Sequence, residues 1–332
     1  MHTHASDPMQ HIPVMLDEAL EYLNVEKDGW YLDATFGAGG YSQAILKQGG
    51  HVLACDRDPD AFERAQIFKK KMAGVFPDQH FVFACVSFSQ TPDIREVAAQ
   101  YDIEKFNAIV MDLGLSSPQL EKAERGFSIT RNGHLDMRMD RRQKLDAYQL
   151  VNFKSEAELA DIFYYFGEEK KSRRIAHAIV KQRAIKAIET THQLSEIIVS
   201  TIGYPRKTGT HYARIHPATK VFQALRIYVN NELDELDQAL DRMPTLLKRE
   251  GRLVVVSFHS LEDRIVKKKM RESTLTSASR YSLDALKQES KDKIAPDCLI
   301  QPVVRKILRA SDFEVACNHR ARSARMLVGE RI

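Results

Sequence analysis

Over the first third of the chain, apolar residues gather in short runs, and each run is followed by an amphipathic stretch. The runs near 30–35, 51–55, 80–85 and 107–112 read as buried strands, and the stretches near 40–48, 59–73 and 91–100 have helical spacing. Such alternation predicts a parallel sheet with helices on both faces. From about 120 to 215 no convincing strand appears, and helical periodicity runs through Glu156–Phe166, Ser172–Ile188 and His192–Ile202. The α/β pattern then returns: a helix near Pro217–Leu247, a strand at Arg252–Phe258 and a helix near Leu261–Arg271. Short strands at about 302–308 and 323–329 suit a closing antiparallel hairpin, and the polar, Ser- and Lys-rich segment 273–297 reads as a mobile loop. The expected fold class is α/β. A Rossmann-like core in two pieces, 1–120 and 216–332, is interrupted by an all-helical domain at 121–215.

Composition narrows this little. The chain has 332 residues, a length that suits two domains or one with a large insertion, and its 43% apolar content is ordinary. A net charge of +4 allows a polyanionic partner without demanding one. The four cysteines (Cys55, Cys85, Cys298 and Cys317) form no Cys-x-x-Cys and no ligand-like pairing with histidine. No metal site and no disulfide framework is expected, and the compartment reads as reducing and cytoplasmic. His2, His4 and His11 read as a flexible tail. A secretory h-region and an apolar run of about 18 residues are both lacking, so no membrane partner is expected.

The richest segment is Tyr31-Leu-Asp-Ala-Thr-Phe-Gly-Ala-Gly-Gly-Tyr-Ser42. A strand ending at Asp33 runs into a turn with Gly37, Gly39 and Gly40 and then into a helix start. Glycines let backbone approach a ligand closely, and free N–H groups at a helix start face it, so this is a cradle for a nucleotide cofactor. A dinucleotide fold wants Gly-x-Gly-x-x-Gly, but Ser42 occupies the third position. Asp-x-x-x-Gly-x-Gly-Gly resembles instead the first motif of class I S-adenosylmethionine methyltransferases. Asp56 ends the next strand, about 20 residues after the loop, where a carboxylate suits a ribose diol. NAD enzymes use the same device, and Asp56 also suits a cap for the helix starting near Pro59.

Further motifs follow in order: Asp112-Leu-Gly-Leu-Ser-Ser-Pro-Gln-Leu-Glu121, Arg125-Gly-Phe-Ser128, Leu135-Asp-Met-Arg-Met-Asp140, Ser172-Arg-Arg-Ile-Ala176, Ile215-His-Pro-Ala-Thr219, Phe222-Gln-Ala-Leu-Arg226 and Ser257-Phe-His-Ser-Leu-Glu-Asp-Arg264. The ordered set, from about His11 to Val328, resembles the RsmH family, also called MraW. Those proteins methylate N4 of a cytosine at the decoding centre of bacterial 16S rRNA. The resemblance implies a class I methyltransferase core with a helical insertion, S-adenosylmethionine as cofactor and the small ribosomal subunit as partner. It allows a homodimer, which nothing in the residues requires. Cofactor contacts would fall on Asp33, Gly37, Gly39, Gly40, Tyr41, Asp56, Phe88, Asp112 and Gln119. Phe88 suits packing on adenine and equally an ordinary core; Asp112 suits a crevice-facing acid and also a turn cap. The family usually has His at position 41 and Asp-Gly-Pro at 132–134, so a side-chain role for Tyr41 is open.

A cytosine amine is a poor nucleophile and must be held by acceptors in line with the methyl group. The stretch Asp112 to Pro118 suits that work, with Ser116 and Ser117 or adjacent carbonyls orienting N4. Ser-Ser-Pro is reminiscent of the Ser-Pro-Pro-aromatic loop of amino-directed cytosine and adenine methyltransferases. His259 suits either the base or a phosphate, or a structural place. Lys170, Lys171, Arg173, Arg174, Lys181 and Arg183 on one insertion helix, with Arg320 and Arg322, suit RNA phosphates. Lys267–Lys269 and Arg271 read as a solvated face. A DNA amino-methyltransferase and a small-subunit assembly factor remain as other readings. An NAD dehydrogenase fits worst.

Overall fold

The computed structural model describes residues 13–204, 216–279, 300–304 and 306–332. In chain order the first elements are α1 (Leu16–Leu23), β1 (Trp30–Asp33), α2 (Gly40–Lys47), β2 (His51–Cys55), α3 (Asp60–Val75), β3 (Phe81–Ala84), α4 (Thr91–Ala99) and β4 (Phe106–Asp112). Then come α5 (Ser117–Glu121), α6 (Ala147–Phe153), α7 (Glu156–Tyr165), α8 (Ser172–Arg183), α9 (Thr191–Ile202) and α10 (Thr219–Asn230). The rest are α11 (Glu232–Arg242), β5 (Leu247–Ser257), α12 (Ser260–Ser279), β6 (Ile300–Pro302), β7 (Leu308–Arg309), α13 (Asp312–Cys317) and β8 (Arg325–Arg331). The chain forms two compact units, Met1–Gly114 with Leu233–Ile332, and Leu115–Glu232.

The first unit is built on one sheet in the order β3-β2-β1-β4-β5-β8-β6, with β7 also on β8. β1 to β5 pair in parallel, and β8 runs antiparallel to β5. Period-two alternation divides the side chains between two cores. Leu32, Leu53, Ile109 and Val255 pack under Ile94 of α4, Leu236 of α11 and Val266 of α12. Tyr31, Val52, Val110 and Val254 pack under Leu23 of α1, Ile45 of α2 and Phe68 of α3. The strand order reverses between β1 and β4, which opens a crevice at their carboxyl ends. The sheet is therefore the doubly wound one expected.

The second unit holds no named strand among the described residues, only an isolated bridge between His134 and Thr190. Its apolar core joins Phe163, Ile175, Ile179, Leu194, Ile198 and Leu225. A buried polar lock stiffens it. Arg125, 1% exposed, donates to the carbonyls of Arg138 and Met139, and Asn230 receives the Met139 N–H (2.7 Å) and donates to Met137 O (2.7 Å). These bonds seat Met137 in the left-handed region at φ 58°.

Several expectations are corrected. The helix expected across Pro217–Leu247 is α10 and α11, broken at Asn231, whose φ of 51° ends the first helix. The helix expected to reach Ile188 ends at Arg183. The strand expected at 302–308 is β6 and β7, both pairing with β8. The loop expected from 273 begins as helix, since α12 runs to Ser279; positions 280–297 and the N-terminal histidines lie outside the described residues. Helix α1 was not expected: only eight residues long, it offers few turns of periodicity to read.

Candidate active site

Two carboxylates at strand ends hold the glycine loop. Asp33 accepts the Thr35 N–H on Oδ1 (3.2 Å), and the N–H and hydroxyl of Ser42 on Oδ2 (3.2 and 2.7 Å). It thereby ties the start of the loop to the first turn of α2. Asp56 accepts the Gly37 N–H on Oδ2 and the Asp58 N–H on Oδ1, each at 2.9 Å. A carboxylate has about four acceptor positions, so Asp56 keeps capacity for a ligand's hydroxyls. Gly39 has φ +84°, and a Cβ there would stand 2.8 Å from the Phe36 ring and 2.9 Å from Phe68. Glycine at 39 is thus demanded by backbone conformation and aromatic packing, besides any ligand approach. The N–H groups of Gly40 and Tyr41 lie in the first turn of α2, where no intrahelical acceptor exists. The Tyr41 hydroxyl donates to Val14 O and its ring is buried, so its side chain has a structural task.

Asp112 ends β4 beside this loop, its N–H bonded to Thr35 Oγ1 at 2.7 Å. Its Oδ1 is buried and meets no hydrogen-bond donor among the described residues. Burial, with the Asp33 and Glu262 charges adding and Arg320 opposing, pushes the Asp112 carboxyl up to about 8. Burial also raises Asp33 to about 6, against the hydrogen bonds from Ser42 and Thr35. Asp56 is raised as well, again mainly by burial. The crevice is thus rich in acceptors, with the Arg320 and Arg64 charges opposing the carboxylates.

Phe88 is half-buried against the core of its sheet face, in the loop after β3. The hydroxyls of its neighbours Ser87 and Ser89 both donate to Glu235 Oε2 on α11. His259 sits at the start of α12. Its Nδ1 accepts the Glu262 N–H (3.4 Å), its Nε2 lies 3.2 Å from Glu262 Oε1, and Glu262 Oε2 accepts the Phe258 N–H (2.8 Å). That is a capping arrangement, and it gives the His259 ring a local structural partner. Ser116, Ser117, Pro118 and Gln119 belong to the second unit and start α5. The Ser116 N–H donates to Gln119 Oε1 at 3.0 Å, so the glutamine oxygen caps this short helix. Pro118 occupies the first turn, where its missing N–H costs nothing.

The basic residues of α8 divide by task. Arg183 donates to Val151 O (2.6 Å) and Lys154 O (2.5 Å), closing the carboxyl end of α6. Arg174 and Lys171 donate to Thr201 O (3.0 Å) and Ile202 O (3.2 Å) at the end of α9. Lys170, Arg173 and Lys181 are exposed, as is Arg322, while Arg320 is half-buried. Lys267 pairs with Asp263, and Lys269 with Asp237 and Asp241. Sequence reasoning missed Thr35, Glu235 and Glu262. Only Glu262 had a local signal, standing three residues after the helix cap.

A doubly wound sheet whose glycine loop opens on a carboxylate-lined crevice is the core of a class I methyltransferase. The profile of the MraW methylase family matches residues 8–332. A ribosomal RNA small subunit methyltransferase H from Rickettsia felis is 43% identical over 328 residues, 98% of this chain and 99% of its own. One from Beijerinckia indica is 46% identical over 328 residues, 98% of this chain and 87% of its own. The chain belongs to the MraW methylase family.

Proposed function

We propose that the protein transfers a methyl group from S-adenosylmethionine to the N4 amine of a cytidine in the decoding centre of 16S rRNA, acting on the small subunit in the bacterial cytoplasm. The observation that carries the choice of cofactor is the buried, donor-starved carboxyl of Asp112 among Asp33 and Glu262. A group with a sulfonium and an ammonium suits such a crevice, since a nearby cation favours the ionised carboxyl. When bound, S-adenosylmethionine supplies an electrophilic methyl group. Gly39, Gly40 and the Tyr41 N–H would line its place, Asp56 would take ribose hydroxyls, and Phe88 would offer its ring to the adenine. Asp33 and Gln119 act indirectly, by holding the loop and the start of α5. Asp112 accepts from the target amine and keeps its nitrogen in line. The motif that follows Asp112 gives Ser116, Ser117 and Pro118 the same task. A base paired in a duplex hides this amine, so the cytidine must be unpaired or flipped out.

The test is methyl transfer from labelled S-adenosylmethionine to small subunits from cells lacking the gene, to naked 16S rRNA and to DNA. The expected product is N4-methylcytidine in the subunit's rRNA, lost with Asp112→Ala. Tight cofactor binding with no transfer to any substrate would point instead to an assembly factor.

RNA contacts are expected from the exposed cations of α8. Arg173→Ala lowers affinity for the substrate and reduces the slope of log affinity against log salt by about one, with unchanged melting. Arg183→Ala, which uncaps α6, costs about 1–2 kcal/mol of stability instead. Salt titrations and thermal unfolding of both variants separate the two tasks.

A further inference from the structure

We infer that Arg64 is a positioning residue for the cofactor's ribose, acting through Gly37 and Asp56, an inference that rests on the placing of Asp56 at the ribose given above.

Helix α3 follows β2 just after Asp56, and its buried face is Ala61, Ala65, Phe68 and Met72. Arg64 begins its second turn, and long helical side chains lean back towards the helix N-terminus. Here that end lies at the carboxyl edge of β2, beside the glycine loop. The side chain reaches the loop: Arg64 Nε donates to Gly37 O at 3.2 Å. The Gly37 N–H in turn donates to Asp56 Oδ2 at 2.9 Å. Both polar groups of Gly37 are therefore held, on a backbone at φ 52°, one by Asp56 and the other by Arg64.

A staple on Gly37 needs only one donor, and Arg64 brings more. Its Nη2 is buried and meets no acceptor among the described residues. A buried donor left unmet is unfavourable, so a neutral donor would be the better staple. The charge has a use at Asp56. Burial and the Asp58 charge push the Asp56 carboxyl up, while the N–H bonds from Asp58 and Gly37 and the charge of Arg64 hold it down. The hydroxyls of a ribose diol are donors, and an ionised carboxylate accepts them on both oxygens. Protonation would turn one of those oxygens into a donor, and hydrogen bonds to the charged form are also the stronger ones. Arg64 thus fixes the loop with its Nε–H and keeps Asp56 an acceptor with its charge.

The test uses the full-length protein in calorimetric titrations with S-adenosylhomocysteine and with its 2′,3′-dideoxy analogue. The ratio of the two affinities reports the diol alone, because the rest of the ligand is shared. Arg64→Gln keeps an amide donor for Gly37 O and removes the charge. Its ratio is expected to fall about tenfold, the equivalent of one pKa unit at Asp56, while affinity for the dideoxy ligand hardly moves. Arg64→Lys keeps the charge and restores the ratio. In an Asp56→Asn background Arg64→Gln leaves the ratio unmoved, since the two residues act as a unit. An unchanged ratio in Arg64→Gln, or an unrestored one in Arg64→Lys, overturns the inference. So does an equal loss for both ligands with a lower melting temperature, the mark of a loop staple alone. A wild type indifferent to the missing hydroxyls overturns the placing of Asp56 as well. Methylation of RNA is read separately, so failure of the substrate reading leaves these ratios standing.

Discussion

Asp112→Asn is expected to give a more stable protein that hardly turns over. Asp112 is the least comfortable acid described: its Oδ1 is buried without a donor and its carboxyl titrates at about 8, against an ordinary 3.8. The folded protein therefore holds this proton longer than the unfolded chain does. The stability linked to it is fully present below pH 3.8 and is lost as pH rises towards about 8. Above that value the folded state carries an uncompensated buried charge. Asparagine removes the charge, so stabilisation by roughly 2–4 kcal/mol, a discounted reading of about 1.4 kcal/mol per pKa unit, is expected at pH 8 and little near pH 4. Melting curves across that range check the sign. In the wild type, cofactor affinity should rise with pH up to about 8, because a cationic ligand favours the ionised carboxyl. In Asp112→Asn that dependence flattens, and turnover falls about a hundredfold or more with the loss of an anionic acceptor and its replacement on one side by an amide donor. Calorimetric titration and initial rates measure both.

Gly39→Ala carries the second large effect. The new methyl group would stand 2.8 and 2.9 Å from two aromatic rings, on a backbone at φ +84°. Left-handed backbone costs about 1 kcal/mol for a non-glycine residue, and forced overpacking about 1–3 kcal/mol more. A loss of about 2–4 kcal/mol in stability is expected on these two grounds. Cofactor affinity should fall about tenfold or more, because the loop must move to relieve the clash. Gly74→Ala is the control: nothing lies within 4 Å of its would-be Cβ, and it sits in α3, so the protein should keep or slightly gain stability. Unchanged melting and unchanged cofactor affinity in Gly39→Ala would refute this account of the loop.

The strands of the first unit were legible because short, nearly continuous apolar runs such as His51–Cys55 and Phe106–Asp112, each followed by a helical pattern, suit strands buried on both faces. The glycine loop was legible because glycine spacing is local. What stayed hidden was long-range. Glu235 lies 148 residues from Ser87, and nothing near either residue announces their bond. The basic stripe on α8 shows the opposite limit. Arg173 and Arg183 look alike in sequence, and only the carbonyls of Val151 and Lys154, supplied by another helix, give Arg183 its task. The same holds for Asp33 and Asp56, read as ligands for a cofactor and found to be bonded first to the loop itself.

The interrupted sheet also sets an order of events during synthesis. β4 pairs with β5, but residues 115–232 must leave the ribosome between them. At about 5–20 residues per second that delay is on the order of ten seconds. For that time β4 has an unsatisfied edge, while the second unit is continuous in sequence and has an apolar core of its own. The helical unit is then expected to mature first, and the half-built sheet is the nascent chain's exposure to chaperones and to mispairing.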